Sequence, residues 1–455
     1  MSKKILVIGG GPAGYVAAIR GAQLGAEVCL VEADKPGGTC LNTGCIPTKA
    51  LLRVAEFYHR ASVSAVPGVR STAEPDWPAA LAYKESVVQQ LTGGISWLLQ
   101  NHGVQVRSGR AALLPGLYVQ VGEETMAADA IILATGSVST ALSFPGSDLD
   151  GVMDSTAALS LREPPRSIVI IGGGVIGMEF AALYAFLGAE VTVVEMMPEI
   201  LPTIDAEIAS LLREKLCASG IRMMTGARLT RMEKTESGLA AYVDADGRTE
   251  IVPAEKALVA VGRQPNTAGL GLERLGVVMD RGAVVTDDAY RTNIAGLYAV
   301  GDCNGTLMLA HAAMEQGRAV AAYIMAQAAP GCRSHIPACV YTSPEIACVG
   351  LTEQQVQEKG IPYRVGRFSL SGNGKSILEG EEGLVKVLAD RALGEVLGVH
   401  MIGPHATEMI AEAVLCMNME GTVEDLAGAV HAHPTVSEAL GEAAAAVSGR
   451  AIHSA

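Results

Sequence analysis

The sequence has no uncharged apolar run long enough to span a bilayer, although hydrophobic residues make up 49% of it. It opens straight into a strand-like segment with no signal or transit peptide, so a cytoplasmic protein without a membrane partner is expected. Basic charge is also short. Lys and Arg number 34 against 48 Asp and Glu, a formal net charge of -14, which argues against nucleic acid as a partner and suits a soluble acidic surface. The nine cysteines have neither the paired spacing of a metal site nor the regular spacing of a secreted disulfide framework. No metal is expected, and Cys29, Cys217, Cys303, Cys332, Cys339, Cys348 and Cys416 read as buried or incidental thiols. At 455 residues the chain is too long for one core, and the prior is about three domains.

What is present is a repeat. The apolar strand Ile5-Leu-Val-Ile runs into Gly9-Gly-Gly11-Pro-Ala-Gly14, then a helix, then Leu24-Gly-Ala-Glu-Val28 and a second strand ending at Glu32. Ile168-Val-Ile-Ile runs into Gly172-Gly-Gly174-Val-Ile-Gly177, then a helix, then the same pentapeptide, Leu187-Gly-Ala-Glu-Val191, and Glu195. Each is a Rossmann unit. The first glycine makes the tight turn, the second lets backbone approach a pyrophosphate, and the third lets helix pack on strand. The terminal acid takes the ribose hydroxyls. A single such motif is weak, but two with strand, helix and acid in register imply two bound dinucleotides.

Between the units lies Gly37-Gly-Thr-Cys40-Leu-Asn-Thr-Gly-Cys45-Ile-Pro-Thr-Lys49. Gly44 lets the chain curl until the two sulfurs approach disulfide distance, and Pro47 suits the first turn of a helix running through Lys49. Cys45 then lies at the helix's positive end, which favours a thiolate, and Cys40 is left to exchange with substrate. An isolated C-x4-C is more often structural than redox-active; a neighbouring dinucleotide unit reverses that balance. A flavin is the natural electron partner of a dithiol, and the unit joined to the cysteines is the one to hold it. FAD is therefore assigned to the first unit. The nicotinamide falls to the second, where Glu195 followed by Met196 and Met197 offers no Arg for a 2'-phosphate and favours NAD over NADP.

Further along, residues Ala61 to Asp76 read as a loop and Pro78 to Asn101 as a helix. Ile131-Ile-Leu-Ala-Thr135-Gly136 is an apolar strand stopped by glycine, and Ala257 to Asn266 closes the second unit in a similar way. A buried strand near Thr292 ends at Asp302, an acid suited to a flavin ribityl hydroxyl. From about His335 the composition turns to alternating strands and alanine-rich helices without a dinucleotide signature, so this part is expected to pack against another subunit. The boundaries expected are 1–143 for the FAD domain, 144–266 for the NAD domain, 267–334 for a segment completing the FAD site, and 335–455 for an interface domain. The fold class is α/β: two Rossmann-like domains plus a C-terminal α+β domain.

One element of that last domain carries chemistry. His433 and Glu438, in His431-Ala-His433-Pro-Thr-Val-Ser-Glu438, pair a base with a carboxylate that orients it and makes it more basic, as thiol oxidation requires. A surface histidine is the bland alternative; a dithiol that needs a base outweighs it. His311 reads as structural, orienting backbone near the isoalloxazine.

Taken together, these motifs resemble the pyridine nucleotide-disulfide oxidoreductases, and within them the branch that oxidises dihydrolipoamide. The resemblance covers nearly the whole chain, including Gly172 to Glu179, Val261 to Pro265, Gly301-Asp302, Met308 to His311, Tyr341-Thr-Ser-Pro-Glu345 and His431 to Glu438. It implies Cys40 as interchange thiol, Cys45 as charge-transfer thiolate, Lys49 and Glu179 as an ion pair near the flavin, and Asp302 as ribityl ligand. It also implies His433 and Glu438 as an acid/base dyad reaching the disulfide of a partner subunit, hence a homodimer. On this reading the FAD set is Gly9, Gly11, Gly14, Glu32, Thr39, Lys49, Ala112, Thr135, Gly136, Asp302, Leu309, Ala310 and His311. The NAD set is Gly172, Gly174, Gly177, Glu195 and Gly262. Ala312 departs from the pattern, since many relatives place a lysine there; this bears on charge near the flavin and not on the chemistry.

The implied partner is a lipoyl-bearing protein of a 2-oxo acid dehydrogenase, acetoin or glycine-cleavage system, since no lipoyl domain precedes Met1 or follows Ala455. Two other readings are weaker. A glutathione-reductase-like enzyme is disfavoured by Glu195 and the missing Arg cluster, and a mercuric reductase by the absence of a cysteine pair in Ser448 to Ala455. A non-catalytic flavin-bearing subunit would have been free to lose Cys40, Cys45, His433 or Glu438.

Overall fold

The strands of both glycine-rich units are runs of β-branched and aliphatic residues, the pattern of parallel strands covered on both faces. The structure, a computed structural model, describes residues 2–63, 68–326 and 335–454; Cys332 and part of the expected 61–76 loop lie outside these. In the first unit Lys4–Ile8 is central, paired in parallel with Glu27–Glu32 on one side and Ala130–Leu133 on the other. Gln105–Ser108 and Leu297–Ala299 complete a five-stranded sheet at its two edges. The strand before Asp302 thus belongs to the first sheet although about 160 residues separate it from its neighbour. The second unit repeats the plan around Ser167–Ile171, between Glu190–Val194 and Lys256–Val259. Even the register repeats: Lys4 lies opposite Glu27 as Ser167 lies opposite Glu190.

Three features join the units. Ser137–Ser139 and Arg263–Pro265 form a short antiparallel pair, so the chain leaving the first sheet and the chain leaving the second run side by side. The Cys45–Ser62 helix of the first unit packs on the Val175–Phe186 helix of the second, sharing a core of Leu51, Leu52, Ala55, Phe180, Leu183 and Tyr184. Phe180 and Tyr184 sit one helical turn apart and point into that core, Arg53 lies on the exposed face, and the half-buried His59 ring packs 5.0 Å from that of Phe186 across the contact. The Trp77–Asn101 helix, starting at its Asp76 cap, is fixed to the second unit by Trp77 Nε1 and Lys84 Nζ, which donate to the carbonyls of Leu161 and Leu159.

The C-terminal domain is a five-stranded antiparallel sheet in the order 338–340, 345–350, 396–403, 384–390 and 363–369, covered by the Ala406–Asn418 and Glu438–Ala446 helices. A buried charge cluster fastens it to the second unit. Lys386 is 1% exposed and reaches Asp205 at 2.8 Å, Glu207 at 2.9 Å and Glu353 at 2.7 Å, with Arg367 bridging Glu207 and Glu353. Asp205 also caps the Ala206–Ala218 helix and accepts from the Glu353 N–H. Burial works to raise the Asp205 carboxyl, but the hydrogen bonds from Lys386 and the Glu353 amide outweigh it and hold it below the usual range. Among the described residues no helix is long and apolar enough to cross a membrane.

Because the cluster's carboxyls are depressed in the folded chain, their stabilisation is present above the ordinary carboxylate range and lost as pH falls through it. Lys386→Met leaves Asp205 without its cation and Glu207 and Glu353 with Arg367 alone, around a buried apolar side chain, and should destabilise by about 3–5 kcal/mol near neutral pH. The deficit against the parent should shrink towards about pH 4 as the acids take up protons. Thermal unfolding followed across pH checks both; a melting temperature unchanged at neutral pH would show that the cluster does not hold the domains together.

Candidate active site

Cys40 lies in the short Gly38–Asn42 helix and Cys45 opens the Cys45–Ser62 helix, with Gly44 between. Gly44 passes so near Thr39 that a Cβ there would stand 2.9 Å from its carbonyl oxygen, which is the close turn that brings the sulfurs together. Both are free thiols, hydrogen-bonded to each other. That hydrogen bond from Cys40 is the largest influence on Cys45; burial opposes it, Lys49 adds to it, and the Cys45 thiol comes down to about 7. The same hydrogen bond, together with burial, pushes the Cys40 thiol far up. One sulfur is poised as an anion at neutral pH while the other keeps its proton.

Lys49, one turn into the same helix, meets Glu179 of the second unit's helix through two hydrogen bonds of 2.8 and 2.7 Å. Glu179 is 3% exposed and would be costly as a lone charge. Tyr341, from the C-terminal domain, completes the enclosure. Its N–H donates to Glu179 at 3.2 Å and its ring lies 4.6 Å from the Lys49 ammonium, a cation–π contact. Sequence reasoning placed Tyr341 in a motif without giving it a task.

The two glycine-rich turns have the same construction. A Cβ on Gly14 would stand 1.8 Å from the Gly9 oxygen, and one on Gly177 2.0 Å from the Gly172 oxygen, so helix and strand close only on glycine. The middle glycine of the second turn, Gly174, faces open space. Both terminal acids are held by backbone amides. Glu32 accepts from Gly10 N–H at 2.5 Å and Asp34 N–H at 2.8 Å; Glu195 accepts from Gly173 N–H at 2.5 Å and Met197 N–H at 2.7 Å. Glu195 is therefore a buried, anchored carboxylate rather than a solvated strand end.

All of this lines one cleft of about 2330 Å³ running between the units. On its wall are Gly9, Gly11, Glu32, Thr39, Cys40, Cys45, Lys49, Thr135, Gly136, Glu179 and Asp302. Leu309, Ala310, His311, Gly172, Gly174, Glu195 and Gly262 line it too. Gly14 and Gly177 lie behind it, packing helix on strand. His311 Nε2 is 2.6 Å from the Pro337 oxygen, joining the Ala310–Ile324 helix to the entry of the C-terminal domain, and Ala312 beside it is buried.

Ala112 is not on the wall: Gly109, Arg110 and Ala111 form that stretch, and Ala112 lies one strand position on, paired with Gln120. Alternation of side chains along the strand accounts for the displacement. Among the described residues Thr135 Oγ1 is buried on the wall with no nitrogen or oxygen partner, only the Cys303 thiol beside it, as suits a wall built to meet a polar ligand.

His433 and Glu438 stand apart from the cleft of their own chain. They pair at 3.0 Å through His433 Nδ1, and Glu438 is steadied by the Thr435 N–H at 2.9 Å. The His433 side chain is 81% exposed. Its loop is tied down by a second pair, His431 with Glu412, at 3.0 and 3.1 Å. The Thr435 amide and then His433 hold the Glu438 carboxyl below its usual range, leaving a carboxylate to orient the ring.

Comparison with known proteins gives this arrangement a setting. The dihydrolipoyl dehydrogenase of Thermus scotoductus is 44% identical over 99% of this chain and 98% of its own length. Among solved structures, LpdA from Mycobacterium tuberculosis is 30% identical with a TM-score of 0.89, covering 97% of this chain and 99% of that one. The HOCl-induced flavoprotein disulfide reductase RclA from Escherichia coli is 28% identical with a TM-score of 0.87, over 97% and 99% of the two chains. The family model for pyridine nucleotide-disulphide oxidoreductases matches residues 3–317, and that for their dimerisation domain residues 336–444. Neither dinucleotide unit nor the C-terminal sheet is left outside these matches, and the chain belongs to the pyridine nucleotide-disulphide oxidoreductases.

Proposed function

We propose that the protein oxidises dihydrolipoamide carried on another protein to lipoamide and reduces NAD, through the Cys40–Cys45 pair and FAD. The observation that carries this reading is the cleft in which a dithiol, an ion pair and two glycine-rich turns converge. FAD fits the first turn, with Glu32 for ribose hydroxyls, Thr135 Oγ1 as a buried polar group beside only the Cys303 thiol, and Asp302 on the wall. NAD fits the second, with Glu195 for its ribose. FAD held there would supply a two-electron carrier between the reduced cysteines and a nicotinamide.

The chain's own residues handle sulfur and protons. His433 takes a proton from one substrate thiol, and the resulting thiolate attacks Cys40 of the disulfide, so the Cys40–Cys45 bond breaks and Cys45 leaves as a thiolate. The second substrate thiol attacks the mixed disulfide, lipoamide departs as a cyclic disulfide, and Cys40 keeps a proton. Two electrons and two protons have left the substrate. Both electrons lie on the cysteine pair, one proton on Cys40 and the other on His433. Lys49, locked to Glu179, faces the Cys45 thiolate with a fixed positive charge.

The exposed dyad is read as serving the disulfide of a partner copy, in a homodimer built through the C-terminal domain. The lipoyl group would arrive on a subunit of a 2-oxo acid dehydrogenase, acetoin or glycine-cleavage system. A cytoplasmic setting suits the free thiols. The boundaries we assign are 1–143, 144–266, 267–334 and 335–455.

Three outcomes test the reading. In the two-electron-reduced enzyme the long-wavelength thiolate-to-flavin absorption should grow with pH around a midpoint of about 7. Cys40→Ser should retain that band, Cys45→Ser should lose it, and Lys49→Met should move the midpoint upward, since a lowering charge is removed. Equal spectra in the two serine variants would refute the division of labour. For Glu195, steady-state efficiency with NADP should fall far below that with NAD, and parity would refute its role as a guard against a 2'-phosphate.

His433→Gln should lose on the order of 100-fold or more in dihydrolipoamide oxidation while retaining FAD, with Glu438→Gln losing less. Mixing His433→Gln with Cys45→Ser protomers should restore activity, because one site of each heterodimer then has both intact parts. Verified heterodimers without activity would confine the dyad to its own chain.

A further inference from the structure

Asp302 enters the cleft at the end of the first sheet, and its surroundings hold a string of hydrogen bonds that crosses to the second unit. Ser137 Oγ is 2.5 Å from Asp302 Oδ2, and Arg263 Nε is 2.8 Å from the same Ser137 oxygen. Arg263 Nη2 also donates to the Ser137 carbonyl at 2.7 Å. The direction of the string is fixed by chemistry. A guanidinium only donates, so Ser137 must accept from Arg263 and spend its single hydroxyl proton on Asp302. Ser137 is 6% exposed, which removes water as a competing partner. Among the described residues Arg263 makes no ion pair of its own, and it meets a carboxylate only through this serine.

The backbone around the string is equally determined. Arg263 and Ser137 belong to the antiparallel pair that links the two units, closed by Asn266 N–H to Gly136 O at 2.9 Å and Thr140 N–H to Gly262 O at 3.0 Å. From the opposite side, Gln316 Oε1 accepts from Gly301 N–H at 2.8 Å and from Asn304 Nδ2 at 3.0 Å, fixing the turn that carries Asp302. One carboxylate oxygen of Asp302 is thereby engaged, and the other, Oδ1, has no protein hydrogen bond among the described residues.

We infer that Arg263 is a positioning residue for the flavin: through Ser137 it orients Asp302 so that one carboxylate oxygen is reserved for a hydroxyl of the bound cofactor. This rests on the reading that Asp302 holds FAD. It gives the nicotinamide-side unit a direct hand in flavin retention, since Arg263 sits on the strand that closes the second dinucleotide fold. A guanidinium gripping one serine at both hydroxyl and carbonyl cannot be replaced by a lysine, which has charge but no fork.

The test is the affinity of the deflavo protein for FAD, read by quenching of flavin fluorescence on reconstitution. Ser137→Ala and Arg263→Gln should each weaken FAD binding about tenfold or more, the scale of a charge-assisted hydrogen bond, and Arg263→Lys should resemble Arg263→Gln. In an Asp302→Ala background, Ser137→Ala should add less than about twofold, because it acts through the missing carboxylate. A full further loss in that background would show instead that Ser137 merely staples the two units, and would overturn the inference. So would wild-type affinity in Ser137→Ala and Arg263→Gln beside a weakened Asp302→Ala. Wild-type affinity in Asp302→Ala itself would refute the underlying assignment of Asp302 to the flavin, a separate failure. Arg263 is only partly buried, so Arg263→Gln, checked by circular dichroism, keeps the question answerable if Ser137→Ala folds poorly.

Discussion

The contact on which the rest depends is the packing of the Cys45–Ser62 helix against the Val175–Phe186 helix. It is an ordinary apolar interface, with Leu51, Leu52 and Ala55 against Phe180, Leu183 and Tyr184, and its energetic base is burial at about 25 cal/mol per Å². Its effect is specific all the same. The first helix begins at the redox cysteine and the second begins at a dinucleotide turn, so pressing them together sets thiol, ion pair and phosphate-binding backbone into one cleft. Lys49 and Glu179 meet because the helices under them are already in register. An ion pair in so dry a place contributes little net stability, but it tolerates no missing member.

The two dinucleotide units show how far local rules go. Strand, glycines, helix and acid recur with the same register, and each acid ends on the amides of its own turn. What differs is the company each unit keeps. The first recruits Leu297–Ala299 and with it Asp302; the second is pinned to the C-terminal domain by Lys386 and its three acids. The shared plan builds a place for a dinucleotide, and the unshared attachments decide what stands beside it.

That distinction also explains what could be read in advance. The glycines, the cysteine pair and Glu195 were legible because their signal lies within a few dozen residues and follows from backbone geometry. So was the overall α/β plan with a separate C-terminal domain. Ser137, Arg263 and Tyr341 were not legible as site residues, since their meaning comes only from partners 100 or more positions away. Lys386 belongs to no motif, and its meaning comes only from the fold that encloses it among Asp205, Glu207 and Glu353. Ala112 missed the cleft by one residue because a strand turns successive side chains to opposite faces, and the sequence there does not reveal which face looks inward.

The anchoring of Glu32 and Glu195 has a consequence for recognition. Each carboxylate is held by one amide of the glycine turn and by a second amide two residues beyond the acid itself. The entropy of ordering these side chains is settled during folding, so in the role proposed for the two acids a ribose would need only to present its hydroxyls. On that proposal, selectivity for the sugar is written into the backbone around each acid, and a substitution that tilts the glycine turn would alter the choice of nucleotide without touching the acid itself.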